Sequence, residues 1–124
     1  MSTINLSESA FEATVQKEGI VLIDWWASWC GPCRAFAPVF EQTAAAHADI
    51  VFAKVDTEAE PGLAGSFDVR AIPTLSILRD GVMVFHRAGM LSRSALEDLL
   101  KQTRALDMVA VKAEIDAKSE KGAA

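Results

Sequence analysis

Ile20-Val21-Leu22-Ile23-Asp24-Trp25-Trp26-Ala27-Ser28-Trp29-Cys30-Gly31-Pro32-Cys33 decides how this chain is read. Its first eight residues form an apolar run broken only by Asp24, rich in β-branched and aromatic side chains. Such a run fits a central strand covered on both faces. A short turn follows, carrying the chain's only two cysteines. From Cys33 to about His47 the pattern is helical, with Phe36, Phe40 and Thr43 on one stripe and Pro38 inside it. A strand, a turn and a helix in this order set the thiols at a helix N-terminus. Free N–H groups and partial positive charge there favour the thiolate, the reactive form of cysteine.

The flanking sequence extends this pattern. Residues 3–6 read as a short edge strand. Ser7 or Ser9 caps a helix to about Lys17, with Ser9 and Glu12 as a capping box. Phe11 and Val15 form its buried stripe, and Gly19 ends it. Residues 50–55 read as a second buried strand, 58–67 as a short irregular helix and 69–73 as extended chain. Asp80-Gly81 is a two-residue hairpin signal joining strands at 74–79 and 82–87. Ser92 or Ser94 caps a last helix, Ser94 pairing with Glu97, and its apolar face is Leu96, Leu99, Leu100 and Thr103. Alternation in the front half and a hairpin in the back half imply an α/β fold with a mixed sheet. Residues 1–106 make one domain, and 107–124 an extension expected to be helical and to fray from about Ser119.

The chain has 124 residues, 51% of them hydrophobic, enough for one core without staples. A bridge closing so short a loop would add little stability, which removes a structural need for the cysteine pair. A net charge of −5 makes the chain a poor binder of polyanions, so neither nucleic acid nor an anionic membrane is the expected partner. The N-terminal residues lack a basic stretch followed by an apolar one, and the apolar run at 20–27 is too short to span a bilayer. The expected location is the cytoplasm, where a Cys-x-x-Cys pair reads as redox-active or metal-binding.

Cys30, ahead of the helix, is expected to be the exposed thiol that attacks a substrate disulfide; Cys33, one turn in, is the buried resolving thiol. Gly31 and Pro32 add no charge, which leans the pair towards reduction. The alternatives are a zinc half-site or two inert thiols, but His47 and His86 lie too far apart for the finger pattern. Asp24 interrupts an apolar strand, so burial should raise its pKa and make it a proton acceptor for Cys33; otherwise it faces solvent at a strand end. Lys54, in the neighbouring strand, either pairs with Asp24 or faces water. Pro73 starts a strand and on ordinary preference alone is trans.

Together Asp24, Trp29-Cys30-Gly31-Pro32-Cys33, Pro38, Ala53-Lys54, Ile72-Pro73-Thr74, Asp80-Gly81 and Gly89 resemble the thioredoxin family over roughly residues 3–105. The resemblance implies a central mixed sheet of about five strands flanked by about four helices. It implies a thiol–disulfide oxidoreductase that reduces protein disulfides through a redox-active Cys30–Cys33 disulfide, as a monomer with no bound cofactor or metal. Electrons would come from NADPH through a flavin-dependent thioredoxin reductase. Pro73 would be cis, and substrates would dock on Trp29, Gly31, Pro32, Ala71, Ile72, Pro73, Ala88, Gly89 and Met90. Three features depart from the pattern: Trp25-Trp26 places a Trp where a Phe is frequent, Met90 enlarges a position that is often small, and the extension runs past the usual end. A binding or chaperone module on the same fold, or an exported disulfide isomerase or cytochrome-maturation protein, are the alternative functions.

Overall fold

A computed structural model describes residues 2–123, and side chains through Ser119. Met1 and Ala124, the outer ends of the two expected regions, lie outside the described residues. Five strands form one sheet: β1 (Thr3–Asn5), β2 (Ile20–Trp26), β3 (Val51–Asp56), β4 (Thr74–Arg79) and β5 (Val82–Ala88), in the order β1-β3-β2-β4-β5. β1, β3 and β2 run parallel, whereas β4 is antiparallel to β2 and β5 to β4. The helices are α1 (Glu8–Val15), α2 (Gly31–Ala46), α3 (Pro61–Ser66), α4 (Arg93–Arg104) and α5 (Met108–Ala123).

β2 lies between β3 and β4 and is buried along most of its length, which is why its sequence does not alternate. Successive side chains leave a strand on opposite faces. Ile20 and Leu22 accordingly join a core with Phe36, Phe40, Phe52, Leu96 and Leu100, beneath α2 and α4. Val21, Ile23 and Trp25 join another with Leu6, Phe11, Ala53, Val55 and Leu63, beneath α1 and α3. Phe40 stacks between Phe36 and Phe52, with ring centroids 5.9 and 5.2 Å away. By the same alternation Asp24 falls on the α2 side of the sheet.

The Asp80-Gly81 turn has φ of 52° and 80°, the left-handed pair that a two-residue hairpin needs. Asp80 also ties this turn to the start of β2. Its carboxylate accepts the Gly19 N–H at 2.8 Å, and its own N–H donates to the Gly19 carbonyl at 2.9 Å. Gly19, with φ of 91°, therefore shapes the entry to β2, while α1 has already ended at Val15.

Several local expectations change. Ser7 is the N-cap of α1 but its hydroxyl meets Ser9 Oγ, so the Ser9–Glu12 capping box does not form. Ser92, not Ser94, caps α4 by accepting the Ala95 N–H. α3 begins only at Pro61, because a proline has no N–H to give and suits a first turn better than an interior. The extension supplies a separate fifth helix. Asp107 accepts the Ala110 N–H at its start, and the helix continues beyond Ser119 to Ala123. The break between α4 and α5 is held by Arg79, whose Nη1 donates to the carbonyls of Thr103, Arg104 and Leu106 at 2.7, 3.1 and 2.8 Å.

Candidate functional site

The C-terminal end of β2 delivers the cysteines to the start of α2. Cys30 and Cys33 form a disulfide, with Cα atoms 5.2 Å apart. Cys30 is the N-cap of α2, and its sulfur accepts the Cys33 N–H at 3.2 Å. A sulfur thus does what a serine or aspartate oxygen does at an ordinary N-cap. The Cys30 carbonyl accepts the Arg34 N–H, and Pro32 stands in the first turn where its missing N–H costs nothing. Pro38 lies inside the helix as expected.

The expected difference in exposure is absent: Cys30 is 4% and Cys33 2% exposed in the disulfide form. Ala27, Trp26 and Ile72 pack around both, and Ile72 arrives from a distant segment that the local pattern does not reveal. What separates the two sulfurs is their place on the helix.

A second segment crosses the first at Ile72-Pro73. That peptide bond is cis, as the resemblance implies and the ordinary preference does not. The Ile72 carbonyl lies 3.6 Å from Cys30 Sγ. Thr74 Oγ1 donates to the Ala71 carbonyl, tightening the turn. The third segment follows β5: the Gly89 N–H donates to the Pro73 carbonyl at 2.8 Å, and Gly89 needs its φ of 114° to do so. Trp29 (64% exposed), Gly31, Pro32, Ala71, Ala88, Gly89 and Met90 (47%) are open to solvent, Ile72 partly so, while Pro73 is buried.

Asp24 lies in β2, two residues before its end and on the face that α2 covers. It is fully buried, and neither carboxylate oxygen has a hydrogen-bond partner among the described residues. Burial pushes its pKa from 3.8 up to about 7, with the nearby Lys54 cation opposing the rise. Asp24 and Lys54 are register partners across β2 and β3, but no ion pair within 4 Å joins them among the described residues. The Lys54 ammonium instead lies over the Trp26 ring, 5.0 Å from its centroid.

Two rim contacts lie outside the sequence expectations. Trp29 Nε1 donates to Glu58 Oε1 at 2.7 Å, and Arg34 Nη1 donates to the Ser28 carbonyl at 2.9 Å. The convergence of loops at the carboxyl ends of parallel strands is the signal that could have flagged Glu58, just past β3. No group of three or more His, Cys, Asp or Glu among the described residues is arranged to hold a metal, and no described helix is long and apolar enough to cross a membrane.

The thioredoxin family model matches residues 2–102. The "Putative thioredoxin 2" of Streptomyces coelicolor is 51% identical over 107 residues, which cover 86% of this chain and 80% of the relative. Thioredoxin from Bacillus subtilis is 36% identical over 103 residues, covering 82% and 98%. Among solved structures, a single-site mutant of thioredoxin from Halobacterium salinarum superposes with a TM-score of 0.76 at 32% identity, covering 84% of this chain and 91% of that one.

Proposed function

Since the chain belongs to the thioredoxin family and is a protein-disulfide reductase working through Cys30 and Cys33, we propose a division of labour between its two sulfurs. Cys30 attacks and Cys33 resolves. The observation that carries this is the Cys33 N–H aimed at Cys30 Sγ, which stabilises negative charge on Cys30 and not on Cys33. Helix α2 adds its N-terminal field at the same atom.

In the reduced protein the Cys30 thiolate attacks one sulfur of a substrate disulfide. The new bond is a mixed disulfide, and the other substrate sulfur leaves as a thiolate. Cys33 then gives up its proton and attacks Cys30 Sγ. The Cys30–Cys33 bond forms, and the second substrate sulfur leaves. Two electrons have passed from the dithiol to the substrate.

Asp24 takes the proton from Cys33, through water where the two do not touch. Its pKa near 7 suits a group that must accept a proton and lose it again at neutral pH. Lys54 keeps that value from rising further. Substrate backbone docks at Ile72 and Pro73, between Trp29 on one side and Gly89-Met90 on the other, with Gly31, Pro32, Ala71 and Ala88 completing the surface.

Residues 1–106 carry this activity, and 107–124 are an appended element. The protein works as a monomer in the cytoplasm, recycled by an NADPH-dependent flavin thioredoxin reductase. Support for this comes from the family membership and from the uncharged Gly31-Pro32 pair between the cysteines, which adds nothing that would make the disulfide oxidising. The test is a Cys33→Ser variant incubated with a disulfide-bonded protein. A mixed disulfide mapped to Cys30 is the expected result; failure to accumulate one would overturn the assignment.

A further inference from the structure

Two hollows of about 310 Å³ each flank the cis-proline turn. Trp29, Thr57, Val69, Arg70, Ala71 and Ile72 line one. Phe85, Arg87, Ala88, Gly89, Met90 and Leu91 line the other. Ile72 belongs to the first, and Pro73 is hydrogen-bonded to Gly89 of the second, so chain docked at Ile72–Pro73 runs between them.

Each hollow is lined by apolar, glycine or hydroxyl residues and a single charged one, and in both that residue is arginine. The chain as a whole has a net charge of −5, so this sign runs against its surroundings. Arg87 is exposed and has no ion pair within 4 Å among the described residues. Arg70 engages Asp68 through Nε at 2.7 Å, in a pair so exposed that it holds the guanidinium weakly, and its terminal nitrogens make no other hydrogen bond among the described residues. Arg34, tied to the Ser28 carbonyl, adds a third guanidinium near the cysteine turn. Glu58, whose Oε1 accepts the Trp29 indole N–H, keeps its negative charge at the rim of the first hollow and partly offsets Arg70, so Arg87 is the less opposed of the two guanidinium groups.

We propose that Arg70 and Arg87 select substrates whose disulfide is flanked on both sides by acidic residues next to apolar ones. An apolar side chain fills each hollow, and a neighbouring Asp or Glu meets its guanidinium, the planar donor best suited to a carboxylate. Met90, long and adaptable, lets the second hollow take apolar side chains of different shape. This selectivity rests on the reductase reading above.

The test uses three synthetic disulfide-bridged peptides, identical except for Asp, Ser or Lys at the flanking positions. Their reduction by the dithiol form is followed in single turnovers. The acidic peptide should react about three- to tenfold faster than the basic one at low salt, the size expected of two exposed charge contacts. That ratio should collapse towards one at about 0.5 M salt. In the Arg70→Glu/Arg87→Glu variant it should invert. A wild-type ratio near one, a ratio insensitive to salt, or a ratio unchanged in the variant overturns the proposal. Failure to reduce even the Ser peptide would instead overturn the reductase reading.

Discussion

Replacing Asp24 by asparagine tests the cost of keeping an unpartnered carboxylate buried in β2. The native protein holds the Asp24 proton up to about pH 7, whereas an unfolded chain releases it near 3.8. Between those values the native state binds more protons, so stability must fall as pH rises and level off above about 7. The displacement corresponds to ~4 kcal/mol, largely from desolvation, since no hydrogen bond compensates the charge among the described residues. The amide of the Asp24→Asn variant would be a neutral near-isostere with no such slope. The assay is urea unfolding of the oxidised protein at pH 5 and pH 8.5, for both forms. Because the part of the slope between 3.8 and 5 is already spent at the lower pH, the wild type should lose about 2.7 kcal/mol relative to the variant between the two pH values. At pH 8.5 the variant should be the more stable, by less than the full displacement, because its amide also lacks partners and costs about 1–3 kcal/mol. An Asp24→Asn stability difference that is the same at both pH values would refute the reasoning.

Three further outcomes follow from the same structure. Lys54→Met removes the cation that opposes the rise of the Asp24 pKa, so the stability decline should extend to higher pH than in the wild type; an unmoved profile would mean the two groups are screened from each other. Phe40→Ala empties a fully buried site between Phe36 and Phe52 and should cost ~3–5 kcal/mol in urea unfolding. Deleting residues 108–124 leaves the Arg79 contacts to Thr103, Arg104 and Leu106 in place, so stability and insulin-disulfide reduction should both stay close to wild type.

Much of this site was legible because its chemistry is local in sequence. The strand at 20–26, the cysteine turn and the Phe36–Phe40–Thr43 stripe are contiguous, and the Asp80-Gly81 turn carries its own backbone requirement. Asp24 could be singled out because a lone carboxylate contradicts its apolar strand. The rest depends on partners far along the chain. Cys30 is covered by Ile72, which no helix-start rule anticipates. Lys54 prefers the Trp26 ring to a direct ion pair, a choice set by geometry across two strands. At the opposite end of α2, His47 contacts Glu97 at 2.9 Å and Arg104 at 3.1 Å, while Arg104 grips Asp49 through two hydrogen bonds. Arg79 similarly closes a helix 24 residues later. Such side-chain bonds leave no periodic trace, and between two serines such as Ser92 and Ser94 only the backbone decides which caps.

The central claim is that Cys30 is the attacking sulfur because it occupies the N-cap acceptor position of α2. Alkylation of the fully reduced protein with iodoacetamide across pH, with each site followed by peptide mass, tests it most directly. Cys30 should react first, with a midpoint below the ~8.5 of a free thiol, while Cys33 stays largely unmodified in that range. Cys33 reacting first, or both reacting together with an ordinary thiol midpoint, would contradict the account.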